Sequence, residues 1–277
     1  MNAITSQDIP AKILELRDIR VEFGRPKQKR DAARAFVAVD GVTLEIARGE
    51  IVALIGASGS GKTTTARVAL GLQSVSSGDV HIFGRALGTF KGPDLRVLRR
   101  RVQFIFQDPS EALNPRMTVR QIISEGLEIH GIGADRTART ALAAEALVSV
   151  ELAPASLYLE RHLHTLSGGQ RQRVAIAAAL ALSPDLLVAD EPVSMLDLSI
   201  RAGVLDIFRR LRAERNMSTL LITHDLASVG DLADRVVVMN KGMVVEEGTA
   251  RAVLRSPEHP YTRTLLAAVA TGRLPSS

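Results

Sequence analysis

The sequence predicts an α/β fold, and three observations predict it. A continuous apolar run at residues 51–56 has the character of a buried parallel strand, and residues 186–190 and 219–224 read as further strands. Longer stretches with helical composition lie between them, which is the alternation expected of an α/β core. A glycine-rich segment at 56–63 stands between one such strand and the helix after it.

Taken in order, residues 12–23 alternate loosely and read as a strand. Residues 25–35 are polar and basic and read as an exposed loop or insertion. Residues 36–46 resume the strand pattern, with a turn near Asp40 and Gly41, and 47–50 form another turn. Residues 51–56 are a buried strand, 63–72 the helix that follows, and 79–84 a short strand. Residues 95–100 read as helix and 102–106 as strand. From about 117 to 160 the chain is rich in Ala, Leu and Glu, which predicts a helical subdomain inserted between core elements. A helix at 168–182 follows a glycine pair; a strand at 186–190, a helix at 199–214 and a strand at 219–224 come next. A helix at about 225–232, a strand at 236–239, a turn at Lys241 and Gly242 and a largely helical stretch at 249–270 complete the reading. No internal repeat or low-complexity tract interrupts it.

The 277 residues suffice for one large domain or a domain with subdomains, and 46% apolar content is ordinary for a folded chain. There are no cysteines, which excludes disulfides, thiolate metal sites and cysteine-ligated iron–sulfur clusters. Charges interrupt the first twenty residues, so they do not read as a signal peptide. The longest apolar run, at 174–182, is nine residues, against roughly 20 for a helix that spans a bilayer. The chain is therefore expected not to cross a membrane unaided. Its net charge of +5 could favour nucleic acid or anionic lipid headgroups, and reads first as a solvated basic surface. With 3% aromatic residues and no Trp, a base-stacking platform is poorly supported, and no nucleic-acid partner is expected.

Gly56-Ala57-Ser58-Gly59-Ser60-Gly61-Lys62-Thr63 fits the phosphate-loop pattern G-x-x-x-x-G-K-[ST] without a mismatch. Its glycines let backbone N–H groups turn inward around phosphates. Lys62 is expected to reach the β- and γ-phosphates and the Thr63 hydroxyl to ligate Mg²⁺. The helix N-terminus adds a favourable field for an anion. The strand at 186–190 ends in Asp190, followed by Glu191. Asp190 is placed to hold Mg²⁺ through water, and Glu191 to polarise an attacking water. A strand-end carboxylate alone could equally cap a helix. Leu166-Ser167-Gly168-Gly169-Gln170 offers a second anion cradle before a helix, and by itself could also be a cap.

With Arg171 and Arg173 the last run reads LSGGQRQR, and it closely resembles the signature loop of ATP-binding-cassette ATPases. The resemblance extends over roughly residues 12 to 265. It implies a P-loop nucleotide-binding domain with a RecA-like core, an N-terminal antiparallel β subdomain and an inserted helical subdomain at about 108–165. The ATPase domain would occupy 12–250 and a C-terminal extension 251–277. It implies ATP contacts at Gly56, Ser58, Gly59, Ser60, Gly61, Lys62, Thr63 and Thr64. Gln107 matches the loop glutamine that senses Mg²⁺ and nucleotide, Ser194 and Asp197 match the loop that crosses a dimer interface, and His224 matches the switch histidine at the γ-phosphate. Glu191, His224 and Gln107 form the implied catalytic set, with Mg²⁺ held by Thr63, Gln107 and Asp190. Phe23 is the better match to the aromatic that stacks on adenine and Phe36 the alternative; Phe23 as a core strand aromatic stays open. In the family mechanism two cassettes face head to tail, and Leu166 to Gln170 of one act on the ATP of the other.

Residues 107–119 and 256–267 resemble the ATPases of dipeptide and oligopeptide importers, and more closely the second ATPase subunit of each pair. That resemblance implies a second cassette subunit or a homodimer, two transmembrane permease subunits, an extracytoplasmic solute-binding protein and a place on the cytoplasmic face of the membrane. Relatives in that group also import nickel, short sugars, glutathione or peptide antibiotics. The prolines of 257–262 could simply bend the chain before the last helix. Met195 stands where many relatives place Ala, and Thr165 where Gln often precedes the signature loop; neither removes a phosphate contact.

Overall fold

A computed structural model of the chain describes residues 11–24, 36–109, 113–194 and 196–270. The basic loop expected at 25–35, part of the 107–119 stretch and Met195 lie outside the described residues. In chain order the elements are β1 (Lys12–Phe23), β2 (Phe36–Ala47), β3 (Ile51–Ile55), α1 (Lys62–Ala69), β4 (Ser77–Ile82), β5 (Arg85–Ala86), α2 (Gly92–Arg101), β6 (Val102–Ile105), α3 (Val119–Ile129), α4 (Arg136–Ser149), α5 (Gly168–Leu180), β7 (Leu186–Asp190), α6 (Leu198–Arg215), β8 (Ser218–Ile222), α7 (Leu226–Leu232), β9 (Arg235–Asn240), β10 (Met243–Thr249), α8 (Ala250–Arg255) and α9 (Pro260–Ala270). They form two compact units, one of residues 1–90 with 218–277 and one of 91–217. The architecture is the expected α/β type.

The first unit holds two groups of strands. An antiparallel sheet runs in the order β2-β1-β4-β5. Beside it in sequence, β3 pairs in parallel with both β8 and β9, and β10 pairs antiparallel with β9. All five residues of β3 are buried, as are all five of β8. An element covered on both faces has no polar face to present, so β3 appears in sequence as an unbroken apolar run, whereas β8 opens on the buried polar residues Ser218 and Thr219. Each such aliphatic side chain contributes about 1.5–3 kcal/mol by leaving water. Ile55, Val229, Val236, Val238, Val253 and Leu265 belong to one core that seats α7, α8 and α9.

Three expectations are corrected in this unit. No turn breaks the chain at Asp40 and Gly41: β2 runs through them, with Gly41 at φ 67° inside an irregularity of the β1–β2 ladder. The register passes from Ile19 opposite Val42 to Val21 opposite Val39, so β2 carries an extra residue there and bulges. The helix after the phosphate loop ends at Ala69 and not at 72. Gly71 at φ 67° stops it, with Gly71 N–H bonding Val68 O at 2.9 Å and Leu72 N–H bonding Arg67 O at 2.9 Å, a Schellman ending. The strand β10 was not expected at all, and the helical stretch after it is two helices, separated at 256–259.

The second unit pairs β6 with β7 in parallel, Val102 opposite Leu186 and Ile105 opposite Ala189. The stretch read as helical from about 117 to 160 contains α3 and α4 and no α-helix after Ser149. Thr118 caps α3 through a reciprocal box with Gln121, and the Asp135 side chain caps α4 by accepting the Ala138 N–H at 2.8 Å. Ile123, Leu127, Leu147, Val174, Ile176 and Phe208 form its buried interior. Among the described residues no helix is long and apolar enough to cross a membrane.

Candidate nucleotide site

In the first unit, β3 and β8 run parallel with Leu54 opposite Ile222, so their carboxyl ends open on the same side. From β3 springs the loop 56–61; just past β8 stands His224, half-buried. Ligands of open α/β sheets bind outside the carboxyl ends of the strands. The loop's conformation is dictated by its glycines. A Cβ on Gly56, at φ 154°, would lie 2.3 Å from Met239 O, and one on Gly61, at φ 104°, would lie 2.5 Å from Ala38 O. Both obstacles are backbone atoms. Ser60 O accepts the Gly242 N–H at 3.0 Å, which ties the loop to the β9–β10 turn.

Lys62 opens α1 and is 7% exposed. Its Nζ donates to Gly56 O at 3.0 Å, Ala57 O at 2.8 Å and Ser60 Oγ at 3.3 Å. The ammonium is thus held inside the ring of the loop. Gly61, the residue before the helix, supplies no side-chain cap to its first turn, where Thr63 and Thr64 are half-buried. Ser58 and Gly59 are exposed, and Ser60 is buried. Phe23 and Phe36 are direct partners across the β1–β2 ladder and both are exposed, 41% and 61%. Neither is a core aromatic.

In the second unit, Asp190 ends β7 and is 6% exposed. Glu191 follows at φ 47°, a left-handed conformation uncommon for a residue with a side chain. Such strain persists only where the surroundings enforce it. Here the Ser194 N–H and hydroxyl both donate to Glu191 O, at 3.2 and 3.0 Å. Gln107 Nε2 donates to Glu191 Oε2 at 3.1 Å, so two of the residues singled out from sequence meet. Asp197 is exposed at the start of α6.

Ser167 is the N-cap of α5. Its Oγ accepts the Gln170 N–H at 3.3 Å, and Gln170 Oε1 accepts the Ser167 N–H at 3.0 Å. The cap reading, left open from sequence, describes this geometry. A Cβ on Gly169 would strike Ile200 Cγ2 at 2.5 Å, whereas one on Gly168 would meet nothing within 4 Å. Leu166 is buried; its carbonyl accepts from the Arg171 guanidinium at 2.9 Å. Arg173 is spent on Glu151, at 2.8 Å.

One contact had no sequence signal beyond a family label: the Tyr261 hydroxyl accepts the Ala57 N–H of the phosphate loop at 3.0 Å.

The sequence model described as ABC transporter matches residues 39–194, more than half of the chain. The chain belongs to the ABC transporter family. This ABC ATPase is 41% identical over 258 residues to the oligopeptide transport ATP-binding protein OppF of Streptococcus mutans, covering 93% of this chain and 82% of that protein. A Brucella ovis protein with the provisional name of a peptide import ATP-binding protein is 44% identical, over 89% of this chain and 77% of that one. Among solved structures, the dimeric post-hydrolysis form of the ATP-binding cassette MJ0796 bound to ADP and Pi superposes with a TM-score of 0.77 at 28% identity, covering 86% of this chain and 99% of that one. CbiO1 of Clostridium perfringens, part of the transporter complex cbiONQ, gives a TM-score of 0.74 at 25% identity, over 90% and 97%. The fold is that of an ABC ATPase cassette. ATP is the ligand of this family, and its hydrolysis is coupled to transport.

Proposed function

We propose that this cassette drives the import of dipeptides, oligopeptides or a similar small solute across the cytoplasmic membrane. The observation that carries the ATPase half is the phosphate loop, with Lys62 held by three loop oxygens at the mouth of α1. An arriving phosphate would replace those partial charges with a full anion. The import half is supported by the names of the relatives.

In this reading Gly56, Ser58, Gly59, Ser60, Gly61, Lys62, Thr63 and Thr64 cradle the phosphates, and Phe23 stacks on adenine with Phe36 beside it. Thr63, Gln107 and Asp190 hold Mg²⁺. A hydroxyl, an amide and a carboxylate are hard oxygen donors, the set this ion takes together with substrate phosphates. The ion would neutralise charge that develops on the transferred phosphoryl group. Glu191 orients the attacking water, steadied by Gln107 and by the Ser194 contacts to its backbone. His224 senses the γ-phosphate. Leu166 to Gln170 of one cassette close on the nucleotide of a second, with Ser194 and Asp197 between them. The helical part at about 108–165 would pass the closure to two permease subunits, and the chain would sit peripherally on the cytoplasmic face. Residues 251–277 form the C-terminal extension.

Two experiments test this. The tagged chain, purified in mild detergent from native membranes, should bring down two membrane proteins and a second cassette; ribosomal or DNA-repair partners instead would overturn the transport reading. Lys62→Ala should weaken ATP binding about 100-fold or more, since a buried charged contact is lost. ATP binding equal to the parent's would show that the loop is misassigned.

A further inference from the structure

We propose that Tyr261 is a positioning residue for the phosphate loop, through which the seating of the C-terminal helix α9 sets nucleotide affinity. The inference rests on the nucleotide reading of residues 56–63 and deepens it.

The two residues lie 204 positions apart, yet the Tyr261 hydroxyl takes the Ala57 N–H at 3.0 Å. The other side of the same residue is also held, since Ala57 O accepts from Lys62 Nζ at 2.8 Å. Ala57 is therefore pinned by its N–H to α9 and by its carbonyl to the lysine. When Lys62 turns toward a phosphate it gives up Ala57 O, and the tyrosine bond is the one that remains. A loop that keeps its shape through that exchange spends less of its binding energy on ordering itself.

The tyrosine is itself held in place. Its ring packs against the core that contains Leu226, Val229, Ala250 and Leu265. The Tyr261 N–H donates to His259 Nδ1 at 3.1 Å. Ahead of α9, Glu246 of β10 accepts the backbone N–H groups of Glu258 at 2.8 Å and His259 at 3.1 Å. Burial pushes the Glu246 carboxyl up, but hydrogen bonding, including that from those two N–H groups, outweighs it and holds it below the usual range. The clamp is thus made by a carboxylate that stays ionised. Residues 257–262 belong to the segment with the importer resemblance, for which a simple proline bend before the last helix was the alternative; their placement brings the phenol to the loop.

The test compares the full-length parent, Tyr261→Phe and Lys62→Ala for binding of the fluorescent nucleotide mant-ATP with Mg²⁺, alongside amide exchange at Ala57 by NMR. Phenylalanine keeps the packing and removes only the acceptor. The expected result is binding weakened about threefold to tenfold in Tyr261→Phe, the scale of one hydrogen bond. Exchange at Ala57 should rise while amides of β3 and β8 stay protected. Glu246→Gln should move both readouts the same way by a smaller factor. In the assembled transporter, Tyr261→Phe should raise KM with kcat changed less than about twofold. Parent-like binding and Ala57 exchange in Tyr261→Phe overturn the inference and leave the nucleotide site standing. So does a rise in exchange across the whole unit, which would mark a structural role only. A parent that fails to bind mant-ATP overturns the nucleotide reading, and the inference with it.

Discussion

The phosphate loop at 56–63 and the signature segment at 166–170 are both glycine-rich turns that open a helix, but they are built in opposite ways. In the phosphate loop Gly56 and Gly61 face backbone atoms, Met239 O and Ala38 O, that cannot move aside, and Gly59, open on its Cβ side, takes a left-handed φ of 76°. Its cation is turned inward, and the residue before its helix offers no side-chain cap. In the signature segment the helix is capped by the reciprocal Ser167–Gln170 box, a Cβ on Gly169 would meet the β-branched side chain of Ile200 at 2.5 Å, and one on Gly168 would meet nothing within 4 Å. The first loop is over-determined by its own unit. The second has, at Gly168, a helical glycine whose Cβ position meets nothing within 4 Å.

The largest expected effect sharpens this contrast by separating holding from chemistry. Glu191→Gln should lower turnover by about 100-fold or more, as removal of a proton acceptor does, and leave mant-ATP binding intact. Steady-state hydrolysis in the assembled transporter checks it; undiminished turnover would remove Glu191 from its role. Next, Gly61→Ala should destabilise the fold by about 2–4 kcal/mol, because a strained φ is combined with a contact to fixed backbone. Denaturant unfolding reads this directly, and a parent-like midpoint would break the claim that the loop is over-determined. Gly168→Ala is the counter-case. It should leave the unfolding midpoint within about 0.5 kcal/mol of the parent, yet lower ATP hydrolysis by the assembled pair. A variant as active as the parent would show that nothing approaches the open face of Gly168. Ser167→Ala should cost about 1 kcal/mol, the worth of an N-cap, in the same unfolding measurement.

The smallest effect is in pH. The folded Glu246 carboxyl lies below its usual range. Its contribution is therefore complete above the unfolded-state pKa and is lost as pH falls through the lowered folded value. In acid unfolding, the parent and Glu246→Gln should differ at neutral pH and converge at the acid end. A difference that persists at the acid end would mean that ionisation is not the source.

What could be read from sequence follows the same physical line. β3, the loop and the start of α1 were legible because burial on both faces leaves an unbroken apolar run and the loop's geometry demands glycine at fixed spacing. Asp190 was legible for the same reason, at the tip of β7. β10 was not: it is exposed or half-buried along its whole length, so its residues, MVVEEGT, carry neither an apolar run nor a clean alternation. Asp40-Gly41 looked like a turn because a bulge uses the same residues. The left-handed φ of Glu191 and the Tyr261–Ala57 bond were beyond reach, since each depends on side chains brought together only by folding.

The irregular ladder between β1 and β2 has a consequence for how this segment can vary. Lys12 faces Ala47 at one end and Phe23 faces Phe36 at the other, in the same register. In between, the pairing slips once in each direction around Ile19, and again nearer each end. The extra residues on one strand are matched by extra residues on the other. Loss of Asp18 alone would shift every later β1 residue by one position against β2, so that Phe23 would no longer pair with Phe36. A lineage that lost Asp18 and Gly41 together would keep them facing each other. Only a matched pair of length changes keeps Phe23 opposite Phe36, and an unmatched one reaches the aromatic end of the ladder from anywhere between Lys12 and Phe23.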